Sequence, residues 1–133
     1  MSKIVKFGGK SLANGKGINE VVNILEQKLK KKEKLVVTLS ARGKATDELE
    51  LILEKAALGL DYTKAFESFK AYQIEPLPNI DFEKEFELLE GVFKGISLVK
   101  DYSLKTKDLV LAQGEILATK IVSELLNDRG AKT

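Results

Sequence analysis

The chain has no cysteine, no histidine and no tryptophan, and only two prolines and one methionine among 133 residues. Without cysteine there is no disulfide, no thiolate nucleophile and no thiolate-ligated zinc or iron–sulfur site. That fits a reducing compartment. Without histidine, imidazole triads and imidazole metal sites are excluded too. No run approaches the roughly 20 apolar residues of a membrane span, and the opening Met1-Ser2-Lys3-Ile4-Val5-Lys6 has no long apolar region of the signal-peptide kind. The expectation is a soluble, cytoplasmic protein.

Charge of one sign is also lacking. Lys and Arg number 22 against 20 Asp and Glu, a net +2, which gives no reason to expect nucleic acid or an anionic membrane as partner. A hydrophobic fraction of 44% is enough to bury a core. Chemistry must therefore run on Lys, Arg, acidic side chains, hydroxyls and backbone amides. That set suits charge stabilisation around phosphate.

Ile4–Phe7 reads as a short strand stopped by Gly8-Gly9. Ile18, Val21, Val22, Leu25 and Leu29 recur at helical spacing and predict a helix from Ile18 to about Lys32. Lys30-Lys31-Lys32 falls at its end, where the helix dipole favours positive charge. Leu35–Leu39 is apolar on both faces, as expected of a central parallel strand covered on each side. A second stripe, Leu49, Ile52, Leu53, Ala56 and Ala57, predicts a helix with Thr46 as its N-cap.

Two more helices are expected from about Tyr62 to Gln73 and from Asp81 to about Asp101, flanking the break at Pro76 and Pro78. A last helix runs from Thr106 to about Asp128, stopped by Gly130, and Ala131-Lys132-Thr133 reads as the start of another strand. The fold class is α/β. Two strands make a poor sheet, so the pattern describes the first half of an α/β fold whose other strands lie elsewhere.

Three places could carry chemistry. The first is Lys6-Phe7-Gly8-Gly9-Lys10-Ser11. Glycines let amides approach an oxyanion, and a strand-end lysine reaches the same phosphates; the alternative is a tight turn with incidental lysines. Gly9-Lys10-Ser11 is not a P-loop, because Ile4 stands where that motif needs glycine, and the spacing for a dinucleotide fingerprint is also absent.

The second is Ser40–Asp47, at the carboxyl end of the second strand, where open α/β sheets bind ligands. Its hydroxyls could hold a polar substrate while Arg42 and Lys44 hold carboxylates; otherwise it is a capped loop. The third is Gln113-Gly114-Glu115. Glu115 shares a helical face with Leu111, Ala118 and Val122, and a carboxylate there requires a cation, an ion pair or a route to water. Gly114 beside it leaves room for a close approach.

These segments are more specific than their physics. Lys6-Phe7-Gly8-Gly9-Lys10-Ser11-Leu12 resembles the opening motif of aspartate kinases, within the amino-acid kinase superfamily. Ser40-Ala-Arg-Gly-Lys-Ala-Thr46-Asp47 resembles their second motif, and Ala112-Gln113-Gly114-Glu115 their Gly-Glu helix. The motifs occur in order along the whole chain.

The resemblance implies a three-layer α/β/α amino-acid kinase fold of the carbamate kinase-like type, with residues 1–133 as the N-terminal portion of the catalytic domain. It implies that Lys6 contacts the ATP phosphates and stabilises the transferring γ-phosphoryl group, with Gly8, Gly9 and Ser11 lining the phosphate cradle. Ser40, Thr46 and Glu115 would hold L-aspartate, Glu115 facing its ammonium group. The cofactors implied are ATP and Mg²⁺, the metal held mainly through the nucleotide rather than by a protein ligand set.

The product implied is an acyl phosphate on the route to lysine, threonine and methionine, made by a homo-oligomer. No histidine is needed, because the substrate's β-carboxylate is already an ionised nucleophile. Lys10 departs from the family's usual Thr, and Ala118 from its frequent Ser. The alternatives are a superfamily kinase for another substrate and a non-catalytic binding or dimerisation module. The isolated 133 residues are expected to be inactive and to self-associate through an exposed sheet edge.

Overall fold

β-Branched and aromatic residues before Gly8 form a strand, β1 (Ser2–Phe7), in a computed structural model that describes residues 2–32 and 34–130. It pairs in parallel with β2 (Lys34–Leu39), placing Ile4 beside Val36 and Lys6 beside Thr38. The crossover between them is α1 (Gly15–Lys30). This helix starts three residues earlier than its apolar stripe, because the Asn14 side chain caps it by accepting from the Gly17 amide at 2.9 Å. Ile18, Val21, Val22 and Leu25 are its buried face, and Lys30 pairs with Glu26 at 3.7 Å on its exposed end.

Four helices follow: α2 (Ala45–Ala57), α3 (Thr63–Ile74), α4 (Glu83–Val99) and α5 (Leu104–Asp128). Thr46 is not the cap of α2. Lys44 occupies that position without a side-chain cap bond, and Thr46 lies in the first turn. The starts of α3 and α4 use Asp61 and Asp81, whose carboxylates accept from the Thr63 and Glu83 amides. Ser103 caps α5 by accepting from Thr106, and Gly130 (φ +83°) ends it as expected. The expected strand at Ala131–Thr133 lies outside the described residues.

The core joins Leu49, Ile52, Leu53 and Ala56 of α2 to Leu89, Phe93 and Ile96 of α4 and to Val110, Leu117 and Ile121 of α5. Phe66 of α3 packs edge-on against Phe93, with ring centroids 5.2 Å apart. α1 and α5 cover the sheet face carrying Val37 and Leu39. The opposite face differs from the expectation for β2: Val36 is 56% exposed and its neighbour Ile4 71%. No described helix lies across that face, so the apolar pattern exceeds what these elements bury. No helix of the described chain is long and apolar enough to cross a membrane.

Candidate functional site

The loops leaving β1 and β2 are joined side by side at the carboxyl edge of the sheet. The Ser40 amide donates to the Phe7 carbonyl at 3.1 Å, and the Gly43 amide donates to the Gly9 carbonyl at 2.9 Å. Gly9 is required by this join: a Cβ there would lie 2.6 Å from the Ala41 carbonyl oxygen. A Cβ at Gly8 would instead meet nothing within 4 Å. One glycine lets the loops touch, and the other leaves a face open.

The first loop is a tight series of turns. Ser11, Leu12 and Ala13 donate their amides to the carbonyls of Gly8, Gly9 and Lys10 at 3.2–3.3 Å. The amides of Gly8, Gly9 and Lys10 donate to no group among the described residues. Three successive free N–H groups flanked by the exposed side chains of Lys6, Lys10 and Ser11 are the chemistry of an anion cradle. The donors fit phosphate oxygens. No group of three or more acidic side chains suited to a metal ion occurs among the described residues.

In the second loop Ser40 and Lys44 are exposed, and Thr46 is exposed on the first turn of α2. Arg42 corrects the sequence expectation. It does not face a substrate but is 1% exposed, donating Nε to the Leu12 carbonyl at 2.8 Å and Nη1 to the Tyr72 carbonyl at 2.9 Å. Desolvation lowers its pKa, opposed by Tyr72, Glu75 and Glu48. Burial likewise raises the Glu48 carboxyl, with Arg42 pulling the other way.

Of the three readings open for Glu115, the structure shows the route to water: its side chain is exposed. The buried face of α5 runs through Val110, Gly114, Leu117, Ala118, Ile121 and Val122, and Glu115 stands at its rim, on the side of Ala118 and Val122, three and seven residues on. It therefore needs no cation to offset burial. Glu115 instead lines an open groove of about 560 Å³ with Thr38, Leu39, Ala112 and Thr119, beside the last residues of β2. Gly114 does permit a close approach, but from the chain itself: a Cβ there would lie 2.9 Å from the Ala41 Cβ.

The tertiary structure thus brings Lys6, Gly8, Gly9, Ser11 and Ser40 to one sheet edge, with Glu115 in the groove alongside β2. Tyr72 was missed by sequence reasoning. It sits 30 residues beyond Arg42 in a helix without a motif, so no local signal marks it. Gly17 was missed as well; a Cβ on it would collide with the Ser11 carbonyl, so it lets α1 pack against the first loop.

Comparison with known proteins agrees with this architecture. The chain is 32% identical over 138 aligned residues to aspartokinase 1, chloroplastic, of Arabidopsis thaliana; the alignment takes in 97% of the chain and 24% of that protein. Thus the chain spans about a quarter of the length of this relative. Escherichia coli aspartokinase III, crystallised with lysine and aspartate, superposes with a TM-score of 0.74 at 23% identity, over 99% of this chain and 30% of that one. The same enzyme crystallised with aspartate and ADP gives 0.73 at 26% identity, over 98% and 29%. The sequence pattern of the Amino acid kinase family matches residues 1–133 from end to end, and the chain belongs to that family.

Proposed function

We propose that the native polypeptide carrying this chain transfers the γ-phosphoryl group of MgATP to the β-carboxylate of L-aspartate, giving 4-phospho-L-aspartate and ADP. Residues 1–133 form the N-terminal part of its catalytic domain. The observation that carries this reading is the run of free amides at Gly8, Gly9 and Lys10 beside the exposed Lys6, held against the Ser40–Thr46 loop. The likeness to aspartokinases over nearly the whole chain supports the choice of substrate.

In this reading the amides and the Ser11 hydroxyl hold phosphate oxygens, and Lys6 neutralises charge that builds on the transferring group. Ser40 and Thr46 hold the amino acid through their hydroxyls, and the exposed Glu115 carboxylate meets its ammonium group. A β-carboxylate oxygen attacks the γ-phosphorus as the bond to the ADP oxygen breaks. No protein base takes a proton, because the nucleophile is ionised at neutral pH. Mg²⁺ travels on the nucleotide and draws charge from its phosphates when bound.

The test is a substrate panel with the native polypeptide: aspartate, glutamate, acetylglutamate and uridylate, each with MgATP, read as ADP formation. Aspartate should be preferred, and Lys6→Ala should lower turnover by about 10²–10³-fold, the loss typical of removing one transition-state charge contact. Preference for another acceptor rejects the substrate. Near-normal turnover of Lys6→Ala rejects the role of Lys6.

A further inference from the structure

Among the described residues Arg42 is the bulkiest fully buried side chain, and no carboxylate of those residues forms an ion pair with it. A buried guanidinium is costly unless its donors are used. Here each of its three nitrogens donates to a backbone carbonyl. Nε and Nη2 bind the carbonyls of Leu12 and Ala13 at 2.8 and 3.2 Å, and Nη1 binds that of Tyr72 at 2.9 Å. The guanidinium carbon lies 4.2 Å from the centroid of the Tyr72 ring, whose hydroxyl also donates to the Ala13 carbonyl. Gly43 (φ +51°) makes room, since a Cβ there would sit 2.6 Å from that hydroxyl.

The bonds lead from Arg42 into the anion cradle through rigid peptide planes. Arg42 holds the carbonyl of the Leu12–Ala13 peptide, whose N–H donates to the Lys10 carbonyl. The Lys10–Ser11 peptide in turn donates its N–H to the Gly8 carbonyl. The Gly8–Gly9 peptide then presents the free Gly9 amide. Three successive planes thus connect a buried cation to a free donor of the cradle.

We propose that Arg42 is a positioning residue for the phosphate-binding turn, and that with Tyr72 it ties the aim of the turn's free amides to α3. It touches no ligand itself. The role rests on the phosphate reading given above, and the experiment separates the two.

The native polypeptide is compared with Arg42→Met, Arg42→Lys and Tyr72→Phe by amide hydrogen exchange and by steady-state kinetics. In Arg42→Met, exchange of the Ser11 and Ala13 amides should rise about tenfold or more, while Leu117 and Ile121 in α5 keep their rates. KM for ATP should rise by about tenfold, with kcat and KM for aspartate within about threefold. Arg42→Lys should recover part of the loss, and Tyr72→Phe should shift both readouts the same way by less.

Unchanged turn exchange and unchanged KM for ATP in Arg42→Met overturn the proposal. So do equal rises in both KM values with faster exchange in α5, which would show a merely structural role. If Arg42→Met does not fold, Tyr72→Phe decides by the same criteria. A turn that loosens in the variants of a polypeptide that, unmodified, has no affinity for ATP overturns the phosphate reading and this role with it; a variant with intact ATP affinity and a rigid turn overturns only the role of Arg42.

Discussion

Gly114 in α5 and Ala41 in the loop after β2 meet with no side chain between them: a Cβ on Gly114 would lie 2.9 Å from the Cβ of Ala41. Both belong to the motifs singled out from sequence, and their contact sets how far the second loop stands from the helix that carries Glu115. The same loop is held on its other side by Gly9, where a Cβ would come 2.6 Å from the Ala41 carbonyl oxygen. Ala41 is thus pinned between two glycines from different elements.

Gly114→Ala is expected to destabilise the fold. Overpacking costs about 1–3 kcal/mol, against about 1 kcal/mol gained in helix propensity. Gly91→Ala, exposed in α4 with nothing within 4 Å of its Cβ, should instead raise stability by about 0.5–1 kcal/mol. Urea unfolding midpoints of the two variants check the contrast, and equal shifts would count against the Ala41 contact.

Gly9→Ala and Gly8→Ala should separate folding from ligand binding. The first forces the two loops apart and should cost about 1–3 kcal/mol of stability. The second meets open space, so the unfolding midpoint should barely move, while ATP binding should weaken, as the proposed place of Gly8 in the phosphate cradle requires. Calorimetric ATP titration of the native polypeptide, beside urea melts, reads both.

Glu115→Gln should leave stability within about 0.5 kcal/mol of the parent, as befits an exposed side chain. It should raise KM for aspartate by about tenfold or more, the loss of a charge-assisted hydrogen bond, and leave KM for ATP nearly unchanged. A large loss of stability would return Glu115 to the core, and an unchanged KM for aspartate would remove it from the substrate site.

Alkaline pH should loosen the Tyr72 contact. Burial raises the pKa of its phenol above the ordinary value of 10.0, with Arg42 opposing and Glu48 and Glu75 assisting. A raised folded pKa means that the stabilisation is complete below the unfolded value and is lost as pH rises through the folded one. Stability measured between pH 9 and pH 11 should therefore fall more steeply in the parent than in Tyr72→Phe. Parallel curves would show that the phenol does not titrate in place.

Much of the fold was legible because the helices alternate apolar and polar residues at helical spacing. Leu49, Ile52, Leu53 and Ala56 lie in one buried face as their pattern requires. Helix starts were read less well, since a cap is a geometry rather than a composition. Asn14 and Ser103 cap through side-chain oxygens outside the apolar stripes, whereas Thr46 has the right chemistry two residues too late. On the site, Gly8, Gly9 and Ser40 stand at one edge because both strands run parallel and end together.

The order of the elements, the two glycine-bearing loops at the strand ends and a chemistry without imidazole or thiol follow from local pattern and composition. The burial of Arg42 behind the first loop, the open groove before Glu115 and the room that Gly114 makes for Ala41 come from how the chain packs. Each depends on which segments meet across long stretches of chain. An arginine between Ala41 and Gly43 reads the same whether it meets solvent or three carbonyls; the fold supplies the carbonyls.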